Sequence, residues 1–390
     1  MATPLLRKRR AGEHARVGFV ELFFDLVFVF AITQLSHLLI QHPTPLGVLE
    51  TLMLLAAVWW SWIYTSWATN WLDVEATPVR LALFVIMGLG LMLSISLPDA
   101  FGARGLVFAV AFVVIHVGRA LFVIWAARGD RILVENFQRI AVWAAFSGLF
   151  WIGGGLAEGQ ARLFIWLAAL AIEYTAPGLG YRVPGLGRAS TADWTVEGGH
   201  LAERVGLFVI ICLGETLLVT GATFAELEWT TATIAAFASS FVATVAMWQL
   251  YFARAHEAAS QHFAHQADAG AMARRAYTYT PLVLIAGIIV AAVGDEFALT
   301  HPLGHAEPHV AAAILGGPAL FLFGSSLAFL AVWGRWAKGR LIGVVALALL
   351  GLGWTVLSPV ALSLASTAVL LVVAGWEAWA ARKVPVSEVA

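Results

Sequence analysis

Apolar runs of span length recur along the whole chain, each broken by a short polar, glycine- or proline-bearing stretch. A helix crossing a bilayer needs roughly 20 mostly apolar residues, because lipid offers its backbone no hydrogen-bond partners. The runs predict spans at Val17–Ile40, Leu46–Trp71, Val79–Leu97, Gly105–Ala127, Phe137–Leu156 and Leu163–Tyr181. A second set follows at Ala202–Gly221, Thr230–Phe252, Tyr277–Leu299, Val310–Trp333, Leu341–Leu357 and Pro359–Ala380, the last two parted only by Ser358-Pro359. The fold class this predicts is all-α: a polytopic transmembrane helical bundle of about twelve spans.

Charge sharpens that picture. Of 390 residues 61% are hydrophobic and 12% charged, about half the charged share of a soluble domain. With twelve spans, 20 of the 23 Lys and Arg fall on the side of both termini and the even-numbered loops, Arg7, Arg204 and Arg340 among them. Arg104 and Arg162 fall opposite, and Arg119 lies within a span. Such a bias marks the cytoplasmic side, so both termini are expected in the cytoplasm. Residues 1–16 lack an apolar core followed by a small-residue cleavage site and read as a basic cytoplasmic tail. Trp59, Trp60, Trp62, Trp67 and Trp71 gather near a span end, as interfacial anchors do; packing against lipid or a neighbouring helix is the plainer account. The net charge of −1 gives no sign of a nucleic-acid partner, and none is expected; the single Cys212 has no intrachain disulfide partner.

The long polar connection Arg182–Leu201 divides the chain into two six-span halves, 17–190 and 191–384, followed by a tail at 385–390. An even span number makes duplicated halves parallel repeats. Glu21 opens the first span of one half and Glu203 that of the other.

Ionisable residues at membrane depth mark function by default, with structural pairing as the competing account. Asp25, Glu173 and Glu215 are acids within spans; Arg119 is a base one turn after His116. Three acids against one base leave charge uncompensated, so either protons or a cation must supply the balance. Glu21 and Asp25, spaced i, i+4, stack on one face of the first span, with Ser36 near that face and His37 off it. Such a stripe suits a lined pathway, or equally a polar seam between helices. The candidate ion pathway is therefore Glu21, Asp25, His116, Arg119, Glu173, Glu203 and Glu215.

Metal-ligand types gather weakly in three places: His200 with Glu203; His256, His262 and His265 with Glu257 and Asp268; and Asp295, Glu296, His301 and His305. None has the spacing of a closed structural site, and the cofactor is left unknown. A phosphate-cradling glycine loop, a nucleophile elbow and a zinc-protease helix motif are all lacking.

Val20-Glu21-Leu22-Phe23-Phe24-Asp25-Leu26-Val27-Phe28-Val29-Phe30-Ala31 resembles the signature of the bacterial low temperature requirement A family. His200-Leu201-Ala202-Glu203-Arg204-Val205-Gly206-Leu207-Phe208 with Leu213-Gly214-Glu215, Ala276-Tyr277-Thr278-Tyr279, Ala292-Val293-Gly294-Asp295-Glu296 before His301-Pro302, and Gly316-Gly317-Pro318 also fit, in order. The chain departs from that pattern at Pro281, where family members often carry His, and at Ala253, where they often carry Asp. The resemblance implies a multi-span protein of the bacterial inner membrane and no particular substrate. Phe24-Asp25-Leu26-Val27-Phe28 also resembles the first helix of potassium channels whose six-span repeat begins with a Phe-Ser-Asp motif, with Phe24 standing where Ser would be.

The leading expectation is a transporter or channel for a small solute or cation, with its path between the halves along Asp25 and Glu215. The alternative is a membrane-embedded enzyme or envelope-stress protein acting on a lipid or isoprenoid; a purely structural role is the third reading. Expected partners are the lipid bilayer and that solute or cation, and self-association as a homo-oligomer is compatible with the sequence.

Overall fold

The computed structural model describes residues 5–7, 17–190, 196–252 and 269–382. Among these the regular secondary structure is helical, joined by turns and short loops, with two isolated bridges at Leu6–Leu72 and Val183–Gly187. The principal helices are α1 (Phe19–Gln41), α2 (Pro45–Trp71), α3 (Thr77–Ser96), α4 (Gly105–Ala126), α5 (Arg131–Leu156), α6 (Gly159–Thr175), α7 (Gly198–Glu226), α8 (Thr231–Phe252), α9 (Thr280–Thr300), α10 (Pro308–Trp333), α11 (Lys338–Leu350) and α12 (Pro359–Arg382). The chain forms two compact units. The first holds the described residues as far as Leu207 with 269–274; the second holds the rest, so α7 passes from one to the other after Leu207.

Local chemistry sets the ends. Thr44 Oγ1 accepts the Gly47 N–H at 3.1 Å at the start of α2, and Asp130 accepts the Leu133 N–H at 3.0 Å at the start of α5; each satisfies a donor the helix leaves orphaned. α6 stops at Thr175, short of the expected Tyr181, because Pro177 follows and Gly180 and Tyr181 take positive φ (62° and 48°). Glu173 therefore sits in the last turn of α6. A π-helical stretch, Arg274–Tyr279, leads into α9 ahead of Pro281, whose missing N–H breaks the regular α ladder.

Among the described residues ten helices are long and apolar enough to cross a membrane. α6, with 17 residues, and α11, with 13, are shorter, and α11 at 1.5 Å per residue reaches only about 20 Å of a roughly 30 Å hydrocarbon core. The sixth and eleventh expected spans are thus present as short helices. α4 shows how the others meet lipid: Val107, Val110, Val114 and Leu121 lie exposed, while Phe108, Phe112, Ile115 and Arg119 are buried. A water-facing surface does not carry apolar stripes of this extent on helix after helix. The chain is an integral membrane protein in contact with the bilayer.

α2 is the inner helix of the first unit. Trp59, Trp60, Trp62, Trp67 and Trp71 are all buried (1%, 0%, 0%, 7% and 8% exposed). Of the two accounts of these residues, packing against neighbouring helices is the one the structure has: the indoles are enclosed, and two of them donate to buried carboxylates.

The placement of Arg162 is corrected. Counted as a loop charge, it is buried at the α5–α6 turn, where Nε donates to Gly154 and Ala157 carbonyls (3.1 and 3.0 Å) and Nη1 to those of Ala100 (2.9 Å) and Gly102. It adds a donor to carbonyls at the end of α5 and in the turn before α4, where helical partners run out. Arg162→Ala is expected to cost about 2–3 kcal/mol by stranding them, read as a lower thermal midpoint of the detergent-purified protein.

Candidate functional site

The first turns of α1 and α7 face each other through two matched rungs within the first unit. His200 Nε2 lies 3.0 Å from Glu21 Oε1, and Arg204 Nη2 donates to Asp25 Oδ1 at 2.7 Å. Residues 21 and 25 and residues 200 and 204 are both i, i+4 pairs, so each pair lies on one helix face. The equal offset of the two rungs makes these turns parallel. All four side chains are fully buried.

α2 supplies the third wall with a stripe at 62, 66 and 70. Trp62 Nε1 donates to Asp25 Oδ1 at 2.7 Å, and Arg204 Nη2 to Ser66 Oγ at 3.2 Å. Asn70 pairs with the Glu197 backbone, donating to its carbonyl (2.9 Å) and accepting its N–H (3.1 Å). That pairing fixes the amide, so Asn70 Nδ2 also points as a donor at His200 Nδ1, 3.3 Å away. His200 Nδ1 thus accepts and the ring is neutral, with Nε2 set between Glu21 Oε1 and Arg7 Nη2, the latter 3.2 Å away. Both ring nitrogens are thereby engaged.

The fourth wall comes from far up the chain. Leu5–Arg7 lies extended against the end of α2, with Arg7 N–H on the Trp71 carbonyl and Asp73 N–H on the Leu5 carbonyl, both at 2.9 Å. Arg7 Nη2 donates to Glu21 Oε2 at 2.9 Å and Nε to the Leu72 carbonyl at 3.0 Å. Glu21 Oε2 also accepts the Gly18 N–H at 2.9 Å, closing the first turn of α1. With His200 neutral, Glu21 and Asp25 balance Arg7 and Arg204. The expected surplus of buried acid is corrected at this point: Arg204, counted as a loop charge, is a buried partner. Asp25 Oδ2 and Arg204 Nε and Nη1 still lack hydrogen bonds, although Nη1 comes within 3.4 Å of Glu21 Oε1.

A second polar group occupies the opposite face of α2. Glu173 accepts Trp60 Nε1 at 2.8 Å and the Ser147 hydroxyl. Arg119 donates to the Ser61 carbonyl (3.3 Å) and Thr65 Oγ1 (3.1 Å), meets His116 Nδ1 at 3.3 Å and lies 5.4 Å over the Tyr64 ring. His116 Nε2 reaches Ser61 Oγ at 3.1 Å. Arg119 forms no ion pair among the described residues; neutral oxygens and a ring face hold its charge.

In the second unit Glu215 is buried beside Thr216, which meets Thr244 at 3.0 Å. Asp295 is buried and Glu296, next to it, turns to Thr223. His301 is exposed and meets the Thr300 hydroxyl at 3.1 Å, and His305, also exposed, meets the Thr355 carbonyl at 3.2 Å. Glu203 is half-buried. No group of three His, Cys, Asp or Glu among the described residues is arranged to hold a metal ion. His256, His262 and His265, with Glu257 and Asp268, lie outside the described residues.

The family model described as bacterial low temperature requirement A protein (LtrA) matches residues 16–375. The chain belongs to the LtrA family. An uncharacterized protein of Rhizobium meliloti (strain 1021) is 40% identical over 384 residues, 96% of this chain and 92% of the relative. No solved structure matches.

Two charged members of the buried cluster in this LtrA-family chain escape a reading of the sequence. Arg204 sits at a span end, where any Arg counts toward membrane sidedness, and Arg7 stands in a basic tail. One signal for Arg204 is legible: His200 and Arg204 repeat the i, i+4 spacing of Glu21 and Asp25. No comparable signal marks Arg7.

Proposed function

We propose that this LtrA-family protein is a transporter or channel for a small solute or cation, and that the Glu21–Asp25–His200–Arg204 cluster is the mouth of its pathway. The supporting observation is the meeting of two acids, two arginines and a histidine, brought from three separate segments to the end of a membrane-spanning helix. Burying each ion costs several kcal/mol, and apolar side chains of similar size would hold the helices at least as well. A set of exchangeable ion pairs, in contrast, can bind and release a charged solute by trading partners.

The same reading extends to orientation and symmetry. Both termini face the cytoplasm of a bacterial inner membrane, a placement favoured by the basic bias, which persists when Arg204 and Arg340 are set aside as buried residues. The two halves are parallel repeats, a relation supported by the parallel, equally offset first turns of α1 and α7. Glu215 then serves the second half as Asp25 serves the first.

Flux into proteoliposomes tests this, using a pH-sensitive dye and imposed potassium, sodium, guanidinium, methylammonium or proton gradients. Wild-type protein is expected to conduct or exchange, and Asp25→Asn or Glu215→Gln to lower the rate by at least about tenfold without preventing insertion. Absence of flux under every gradient would overturn the reading. Undiminished flux in both variants would remove these acids from the path.

A further inference from the structure

We propose that Arg7 is a tethered cation occupying, and thereby closing, a binding site for N–H-bearing cations (guanidinium or primary ammonium groups) built on Glu21. This deepens the proposed function and rests on it, since it names the class of solute the pathway mouth would accept.

Three observations carry the inference. The first is the shape of what holds Arg7. Glu21 Oε2 and the Leu72 carbonyl oxygen are two acceptors that its guanidinium bridges, at 2.9 and 3.0 Å. Planar N–H donors on a positive group suit such a pair better than a bare metal ion, which needs more oxygens around it.

Charge is the second. His200 is neutral by its hydrogen bonds, so lifting Arg7 away leaves Glu21 and Asp25 against Arg204 alone. One buried negative charge is then uncompensated, a state costly enough to draw in a replacement cation. Asp25 Oδ2, fully enclosed in the same cluster, has no hydrogen bond of its own.

The third is the attachment. The side chains of Glu21, His200 and Arg204 are wholly buried, whereas that of Arg7 is 12% exposed, so Arg7 stands between the cluster and the outside. Among the described residues, its segment is held by two backbone hydrogen bonds and by the side chain itself. Ties of this kind open at less cost than a packed spanning helix.

The test is carboxylate modification of the full-length protein in lipid nanodiscs, using a water-soluble carbodiimide with an amine nucleophile and reading Glu21 by peptide mass spectrometry. Wild-type Glu21 is expected to be protected. Arg7→Ala is expected to raise its modification rate by roughly tenfold. Guanidinium at about 50 mM is expected to restore most of the protection, and sodium at the same concentration not to. Arg7→Lys, which keeps an N–H cation on the tether, is expected to stay protected. Glu173, on the other face of α2, reports general loosening. An unchanged rate in Arg7→Ala, a parallel rise at Glu173, or equal protection by sodium would each overturn the proposal. The readout needs no transport, so a failed flux assay and a failed labelling experiment are separate results.

Discussion

Arg204→Leu is expected to destabilise the protein by about 3–5 kcal/mol, and Asp25→Leu in the same chain to recover most of that loss. The single variant leaves the fully buried Asp25 with only Trp62 as a donor, and Glu21 with one fewer positive neighbour. A carboxylate cannot stay charged there without a partner at reasonable cost. The double variant removes both ions and sets two leucines where Phe24, Trp62 and the aliphatic faces of α1 and α7 already make an apolar surround. Removing both ends of a buried pair is often neutral or stabilising, whereas removing one end is severe.

Thermal midpoints of the four proteins in one detergent form the double-mutant cycle, with the interaction term read as the departure from additivity. A double variant as unstable as Arg204→Leu alone would mean that Arg204 works chiefly through Glu21 and Ser66. The cycle also isolates function from folding. A double variant that is stable yet inactive in the flux assay would assign the pair to the pathway, while a stable and fully active one would reduce it to helix glue.

The helices and the membrane assignment were legible because span length and apolarity are local properties. The acid stripe on α1 was legible for the same reason: an i, i+4 spacing is visible within five residues. What the stripe faces was not, since Asp25 and Arg204 are 179 positions apart and a run of charges near a span end carries no sign of whether lipid headgroups or another helix receives it. Arg204, Arg162 and Arg340 were all counted as loop charges, yet each is buried: Arg204 on carboxylates and a hydroxyl, Arg162 on carbonyls, and Arg340 on both carbonyls and a carboxylate. Arginine has five donors and a long stem, so it can turn back from a span end and cap neighbouring helices in a way that hydropathy averaging does not register. For the tryptophans of α2 packing was the plainer reading, but their partners were not legible: the indole N–H groups of Trp60 and Trp62 are drawn inward by Glu173 and Asp25.

The small-residue seam of the second unit gives the other large effect, and adjacent glycines there should behave oppositely. α9 and α10 run antiparallel with their backbones in contact, Gly287 against Phe321, Ala291 against Gly317, and Leu284 against Gly324. A Cβ added at Gly317 would lie 2.3 Å from the Ala291 backbone nitrogen, while one added at Gly316 would meet nothing within 4 Å. Lipid supplies no hydrophobic drive between helices, so this close approach and its dispersion contacts are much of what joins the pair. Gly317→Leu must push α9 away along a seam that cannot yield at one point only, at an expected cost of about 3 kcal/mol or more. Gly316→Ala meets open space and removes a poor helix former, which should stabilise α10 by about 0.5–1 kcal/mol. Thermal midpoints of the two variants decide the matter: a fall in the first with a level or rising value in the second identifies backbone contact as the tie. Equal losses would mean that both glycines serve the backbone of α10 itself, at the turn carrying Pro318, and that the seam contributes little.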